Sequence, residues 1–98
     1  RLAFVSNYGG GTFTVLSVEA DGRLGAPLHS FSFTGNGPNR DRQEKPHIHS
    51  ATVSPDNRFV YVADLGTDRL YVYAINPASG SVMPAATPSV AVKPGSGP

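Results

Sequence analysis

Ninety-eight residues, 39% of them apolar, allow one small domain or a piece of a larger one. A formal charge of +1 with scattered Lys and Arg leaves no basic footprint for nucleic acid, no apolar run approaches a membrane span, and no signal-peptide pattern opens the chain. The absence of Cys excludes disulfides and thiolate metal sites and fits a reducing, cytoplasmic compartment.

From Arg1 the chain runs straight into "LAFVSNYG", where Leu2, Phe4 and Ser6 alternate with Ala3, Val5 and Asn7. This period-two pattern predicts a strand over 2–7, and a second follows over 12–18 after the Gly-rich turn "NYGGGT". "EADGR" leads to a third strand over 28–34. The longest piece without strand character then follows, "TGNGPNRDRQEKP" from Thr34 to Pro46. A polar, charged loop of that length is usually functional or disordered. Further strands are predicted over 47–53, 59–64, 69–76 and 89–93, joined by "SPDNR", "DLGTDR" and "NPASGS". β-Branched and aromatic residues dominate these runs, and no segment keeps a helical spacing. The 11 Gly and 9 Pro stand between the apolar runs as punctuation.

The sequence repeats itself. "RLAFVSNYGGGTFTVLSVEADGRLG" from Arg1 aligns with "RFVYVADLGTDRLYVYAINPASGSV" from Arg58, matching Val5 to Val62, Asn7 to Asp64 and Gly9 to Gly66. A one-residue gap then brings Gly22 onto Gly80, and "GNGP" at Gly35–Pro38 matches "GSGP" at Gly95–Pro98. A repeat of this length built from short strands is the signature of propeller blades. The expected fold is therefore all-β, a β-propeller piece of about one and three-quarter four-stranded antiparallel blades. Its parts are a partial, three-stranded blade over 1–38, a polar inter-blade loop over 39–46 and a four-stranded blade over 47–98. With its opening inside a strand and its close on a loop, the chain reads as a fragment. Exposed strand edges would seek the remaining blades or self-association.

Two constellations carry polar chemistry. His47 and His49 stand two apart at a strand entrance, an arrangement that projects both imidazoles to one face with Ile48 on the other. Imidazole can serve as base or donor near neutral pH, although a histidine at a strand end is more often a structural hydrogen-bonder. A zinc site would need a third ligand from His29, Asp41 or Glu44, and the preferred reading assigns no metal and no cofactor. Arg40, Arg42 and Lys45 crowd the loop before His47 and suit a carboxylate or phosphate, against the alternative of a solvated loop neutralised by Asp41 and Glu44. Asp64, Asp68 and Arg69 read as turn residues whose carboxylates accept backbone N–H groups. "NYGGGT" and "GNGPNR" lack the residues and helices of phosphate and dinucleotide loops, and no nucleophile elbow is present.

"PHIHSATVSPDNRFVYVADLGTDRLYVYAINPASG", with the lead-in "RQEKPHIHS", the closing "VKPGSGP" and the earlier "SNYGGGTFTVLSVEADGRLG", closely resembles the seven-bladed propeller lactonases. That family includes propeller-type 6-phosphogluconolactonases and carboxy-cis,cis-muconate cyclases. The resemblance implies a site at the top of the central channel and a small-molecule lactone or anionic sugar acid as ligand. It makes His49 the leading acid/base candidate, with Arg42 of "RQ" preferred over Arg40 and assisted by His47 in substrate binding. The activity implied is hydrolysis of a sugar-derived lactone, most simply 6-phosphogluconolactone, or alternatively a muconate-type cycloisomerisation. A non-enzymatic reading competes with it, since "VYVADLGTDRLYVYAI" also looks like the YVTN-type repeats of binding or scaffolding propellers. "RQEKPHIH" separates the two, because a pure scaffold repeat has no need of it.

Overall fold

A computed structural model describes all residues from Arg1 to Pro98. Seven strands and no helix are formed: β1 (Leu2–Asn7), β2 (Thr12–Val18), β3 (Leu24–Ser32), β4 (Ile48–Val53), β5 (Phe59–Asp64), β6 (Arg69–Asn76) and β7 (Ser81–Ala91). They build two antiparallel sheets in chain order, β1-β2-β3 and β4-β5-β6-β7. The expected pairing of a three-stranded with a four-stranded sheet is present.

Four strands run where alternation places them, and β4 begins one residue later than expected, at Ile48. The other two need correction. β3 spans Leu24–Ser32 rather than 28–34, and β7 spans Ser81–Ala91 rather than 89–93. Gly25, Pro27, Pro84 and Pro88 masked the extra length, because such residues argue against a strand. β3 and β7 are edge strands, where a sheet tolerates a missing N–H. Irregular pairing absorbs the mismatch, with register shifts around Leu16 in the first sheet and between Tyr71 and Tyr73 in the second.

The sheets meet face to face. Phe4 pairs with Val15, and Val60 and Val62 pair with Tyr73 and Tyr71, so each set lines one face of its sheet. Between the sheets the Tyr73 ring lies 4.6 Å from Phe31 and 5.2 Å from Phe13, and Phe33 lies 4.4 Å from Tyr71. Phe13, Val15, Ile48, Val60, Val62, Tyr73 and Val82 are the buried centre of this seam. Each such side chain contributes about 1.5–3 kcal/mol by burial, so the aromatic wedge holds the two sheets as one body. Val5 and Tyr61, on the outer faces, stay exposed.

Strand lengths grow across the second sheet from 6 residues in β4 to 11 in β7. β4 is therefore the short edge of this sheet and β7 the long one. Ile48 pairs with Asp64, Asp64 with Arg69 and Arg69 with Ala91, so the entrance of β4, the β5–β6 turn and the segment after β7 share one end. The repeat extends to backbone conformation. Gly11 and Asp68 close their equivalent turns with φ of 62° and 55°, in the left-handed region that glycine enters freely.

Candidate functional site

The two histidines part company at the strand entrance. Ile48 pairs with Asp64 while Ser50 pairs with Ala63, which leaves His49 as an extra residue in β4. This β-bulge breaks the alternation expected to align the imidazoles, and bulges beside functional sites commonly re-aim a side chain. His47 is 5% exposed, whereas His49 projects into solvent and its Nε2 donates to the Pro98 carbonyl oxygen.

His47 is engaged on every side. Its Nδ1 lies 3.0 Å from the Tyr8 carbonyl oxygen, its Nε2 lies 2.7 Å from Glu44 Oε1, and the Tyr8 ring stacks on it at 4.2 Å. Both ring nitrogens face oxygen acceptors, and only the protonated ring donates to both at once. Glu44's own backbone amide, and then His47, hold its carboxyl below the usual range. Lys45 Nζ donates to the Gly9 carbonyl oxygen at 2.8 Å, so two side chains from one loop grip the β1–β2 turn of the other sheet.

Asp64 and Asp68 are buried anchors, in keeping with their turn spacing. Asp64 Oδ1 accepts from the amides of His47 and Gly66 at 2.8 and 2.9 Å, and its Oδ2 accepts from Thr67 Oγ1 at 2.7 Å. Asp68 accepts the Gly95 amide on Oδ2 at 2.6 Å and the Gly97 amide on Oδ1 at 2.9 Å. Burial alone would push the Asp68 carboxyl up, but those two amides and the Gln43 carboxamide outweigh it and hold the group below its usual range. Gln43, 2% exposed, is the residue that sequence reasoning passed over. Its Nε2 donates to the Leu65 carbonyl oxygen and to Asp68 Oδ1, while its Oε1 accepts from the Asn39 amide. The available signal was an uncharged amide amid five charged loop residues, with a turn aspartate to pair with.

Arg42 is exposed and borders a recess of ≈ 280 Å³ shared with Asn39, Gln43, Leu65 and Gly95–Gly97. Arg40 borders a different hollow, with Asn36, Gly37 and Glu44. His49 and Arg42 thus flank the Gly95–Pro98 segment, while His47 is buried against Tyr8 and Glu44. No three His, Asp or Glu side chains gather into a metal-binding group, and His49 stands apart from the Glu44–His47 pair.

The description "Lactonase, 7-bladed beta-propeller" fits residues 1–98. The chain belongs to the seven-bladed β-propeller lactonase family. It is 40% identical over 75 residues to a 6-phosphogluconolactonase of Bacillus subtilis, covering 76% of this chain and 21% of that protein. A 6-phosphogluconolactonase of Formosa agariphila is 33% identical over 95 residues, covering 96% and 27% respectively. Among solved structures, a candidate 6-phosphogluconolactonase from Bacteroides fragilis superposes over 100% of this chain and 29% of its own, with a TM-score of 0.93 at 32% identity. The periplasmic gluconolactonase of Pseudomonas aeruginosa matches 100% and 28%, with a TM-score of 0.85 at 35% identity. The chain therefore spans roughly a quarter of the length of its relatives, which is the share that two blades of seven would occupy.

Proposed function

We propose that this chain forms part of a lactone hydrolase whose substrate is a sugar-derived lactone bearing an anionic group, as in 6-phosphogluconolactone. The observation that carries the reading is His49 on its bulge, exposed at the entrance of β4 and sharing the Gly95–Pro98 rim with Arg42. The names of the relatives support the same chemistry.

In this scheme a water attacks the lactone carbonyl carbon. With Nε2 of His49 donating to Pro98, Nδ1 carries the lone pair that takes the water's proton. The tetrahedral centre then collapses by breaking the ring C–O bond, and the leaving oxygen receives a proton to give the hydroxy acid. Arg42 offers a guanidinium fork to the phosphate or carboxylate of the substrate. His47, with both ring nitrogens engaged, ties the β4 entrance to the β1–β2 turn and to Glu44. A phosphorylated lactone is charged and does not cross membranes unaided, so in this reading the enzyme shares the compartment in which that lactone is made, for which we propose the cytoplasm.

The test is hydrolysis of 6-phosphogluconolactone by the protein carrying this chain. Loss of a positioned general base in His49→Gln should lower kcat by about 10²–10⁴-fold with little change in KM. Undiminished kcat removes His49 from the chemistry. Arg42→Ala should raise KM for the phosphorylated lactone more than for glucono-lactone.

A further inference from the structure

Gln43 and Asp68 belong to neither the apolar core nor the solvent-facing rim, yet both are almost completely enclosed. Between them they hold three separated stretches of chain. Gln43 receives the Asn39 amide on its side chain and the Gly37 amide, at 2.9 Å, on its backbone carbonyl. Its Nε2 reaches the β5–β6 turn at Leu65 and Asp68. Asp68 in turn receives the amides of Gly95 and Gly97. The "GNGP" loop after β3 and the "GSGP" loop after β7 are therefore pinned to one carboxamide–carboxylate contact of 2.8 Å.

The packing around this contact is close. A methyl group added at Gly37 would meet the Gln43 carboxamide at 2.6 Å, so the main chain of the first loop presses directly on the pin. Arg42 is the covalent neighbour of Gln43, and Pro98, the partner of His49, follows directly on Gly97. Any shift of the pin moves both proposed site residues.

We infer that Gln43 and Asp68 are positioning residues for the lactonase site, a buried pin that sets the separation between the Arg42 side of the rim and the Gly95–Pro98 side. This rests on the lactonase reading above, which supplies the reaction that the pin would tune. Both act through the loops they hold, even though Gln43 also borders the recess beside Arg42. Two neutral or two anionic partners would not replace them, because the pin needs one acceptor-only group opposite a donor and two further amides.

Asp68→Asn tests the chemistry while sparing the backbone, since Asn also accepts a left-handed φ. It replaces one acceptor oxygen by an amide nitrogen that confronts either the Gly95 N–H or the Gly97 and Gln43 N–H groups. Gly37→Ala disturbs the pin from the other side and leaves Asp68 intact. Both variants are read twice in the full-length protein, by hydrogen exchange of the Gly95 and Gly97 amides and by steady-state kinetics on 6-phosphogluconolactone. Expected in both are at least tenfold faster exchange at those amides, unchanged exchange at Val60 and Val62, and a KM raised about tenfold. Faster loop exchange with unchanged kinetics would make the pin purely architectural and overturn the positioning role. Unchanged exchange at Gly95 and Gly97 in Asp68→Asn would overturn the pin itself. A wild type without lactonase activity would overturn the functional reading and the positioning role with it, leaving the exchange data to decide whether the pin exists.

Discussion

Asp64 offers the sharpest test of how this end of the sheet is built. It is 0% exposed and sits between the β4 entrance and the β5–β6 turn, where it accepts the amides of His47 and Gly66 and the Thr67 hydroxyl. Asp64→Ala deletes all of these and strands two amides away from water. Hydrogen bonds to a charged acceptor contribute about 1.5–3 kcal/mol each, and a buried unsatisfied donor costs about 1–3 kcal/mol. Since the same bonds enter both counts, the net loss should be about 3–5 kcal/mol. Asp64→Asn should cost only about 1 kcal/mol. The amide oxygen can keep the two backbone donors, and its nitrogen can donate to Thr67 Oγ1, much as Asn7 Nδ2 donates to Thr12 Oγ1 at 2.9 Å in the other repeat. Urea unfolding followed by circular dichroism gives both numbers. Equal losses for the two variants, or a loss below about 1 kcal/mol for Asp64→Ala, would refute the view that amide donors fix the β4 entrance.

Other consequences concern packing and pH. Gly66→Ala should cost about 3 kcal/mol or more by thermal unfolding, because its methyl would lie 1.8 Å from the Lys45 carbonyl oxygen, a backbone atom with no room to move. Glu44 and Asp68 titrate below their ordinary 4.5 and 3.8, so their contribution to stability is complete above those values and drains as pH falls through the lower folded ones. Comparing the acid limbs of pH–stability curves for wild type and Glu44→Gln should show a shallower fall in the variant. Tyr73, pushed up to about 12 by burial and then by Tyr71, stabilises fully below pH 10, and that contribution is lost as pH rises toward 12. Tyr73→Phe should keep the core and flatten the alkaline limb of the same curve.

Most of the strand order was legible because alternation in runs such as Phe59–Asp64 records which face is covered, and because the repeat checks each strand against its counterpart. β3 and β7 were cut short since proline carries the same penalty in every reading of a sequence, whereas in a sheet its cost depends on whether the strand is an edge. The histidine pair was visible but its geometry was not. A bulge at His49 depends on pairing with Asp64 and Ala63, partners that no local pattern names. Gln43 was missed for a related reason. Its importance comes from Leu65 and Asp68, more than twenty residues away along the chain, and a polar residue inside a polar loop carries no local sign of burial.

The left-handed turns at Gly11 and Asp68 have a wider consequence. One backbone shape serves both copies, so replacing a hydrogen atom by a carboxymethyl group adds a tether without redrawing the fold. A wheel made of near-identical spokes can in this way acquire a single stiffened corner, and asymmetry of purpose can arise inside a symmetric frame by decorating one corner alone. Grafting aspartate at position 11 would reveal how much of that individuality a lone side chain confers.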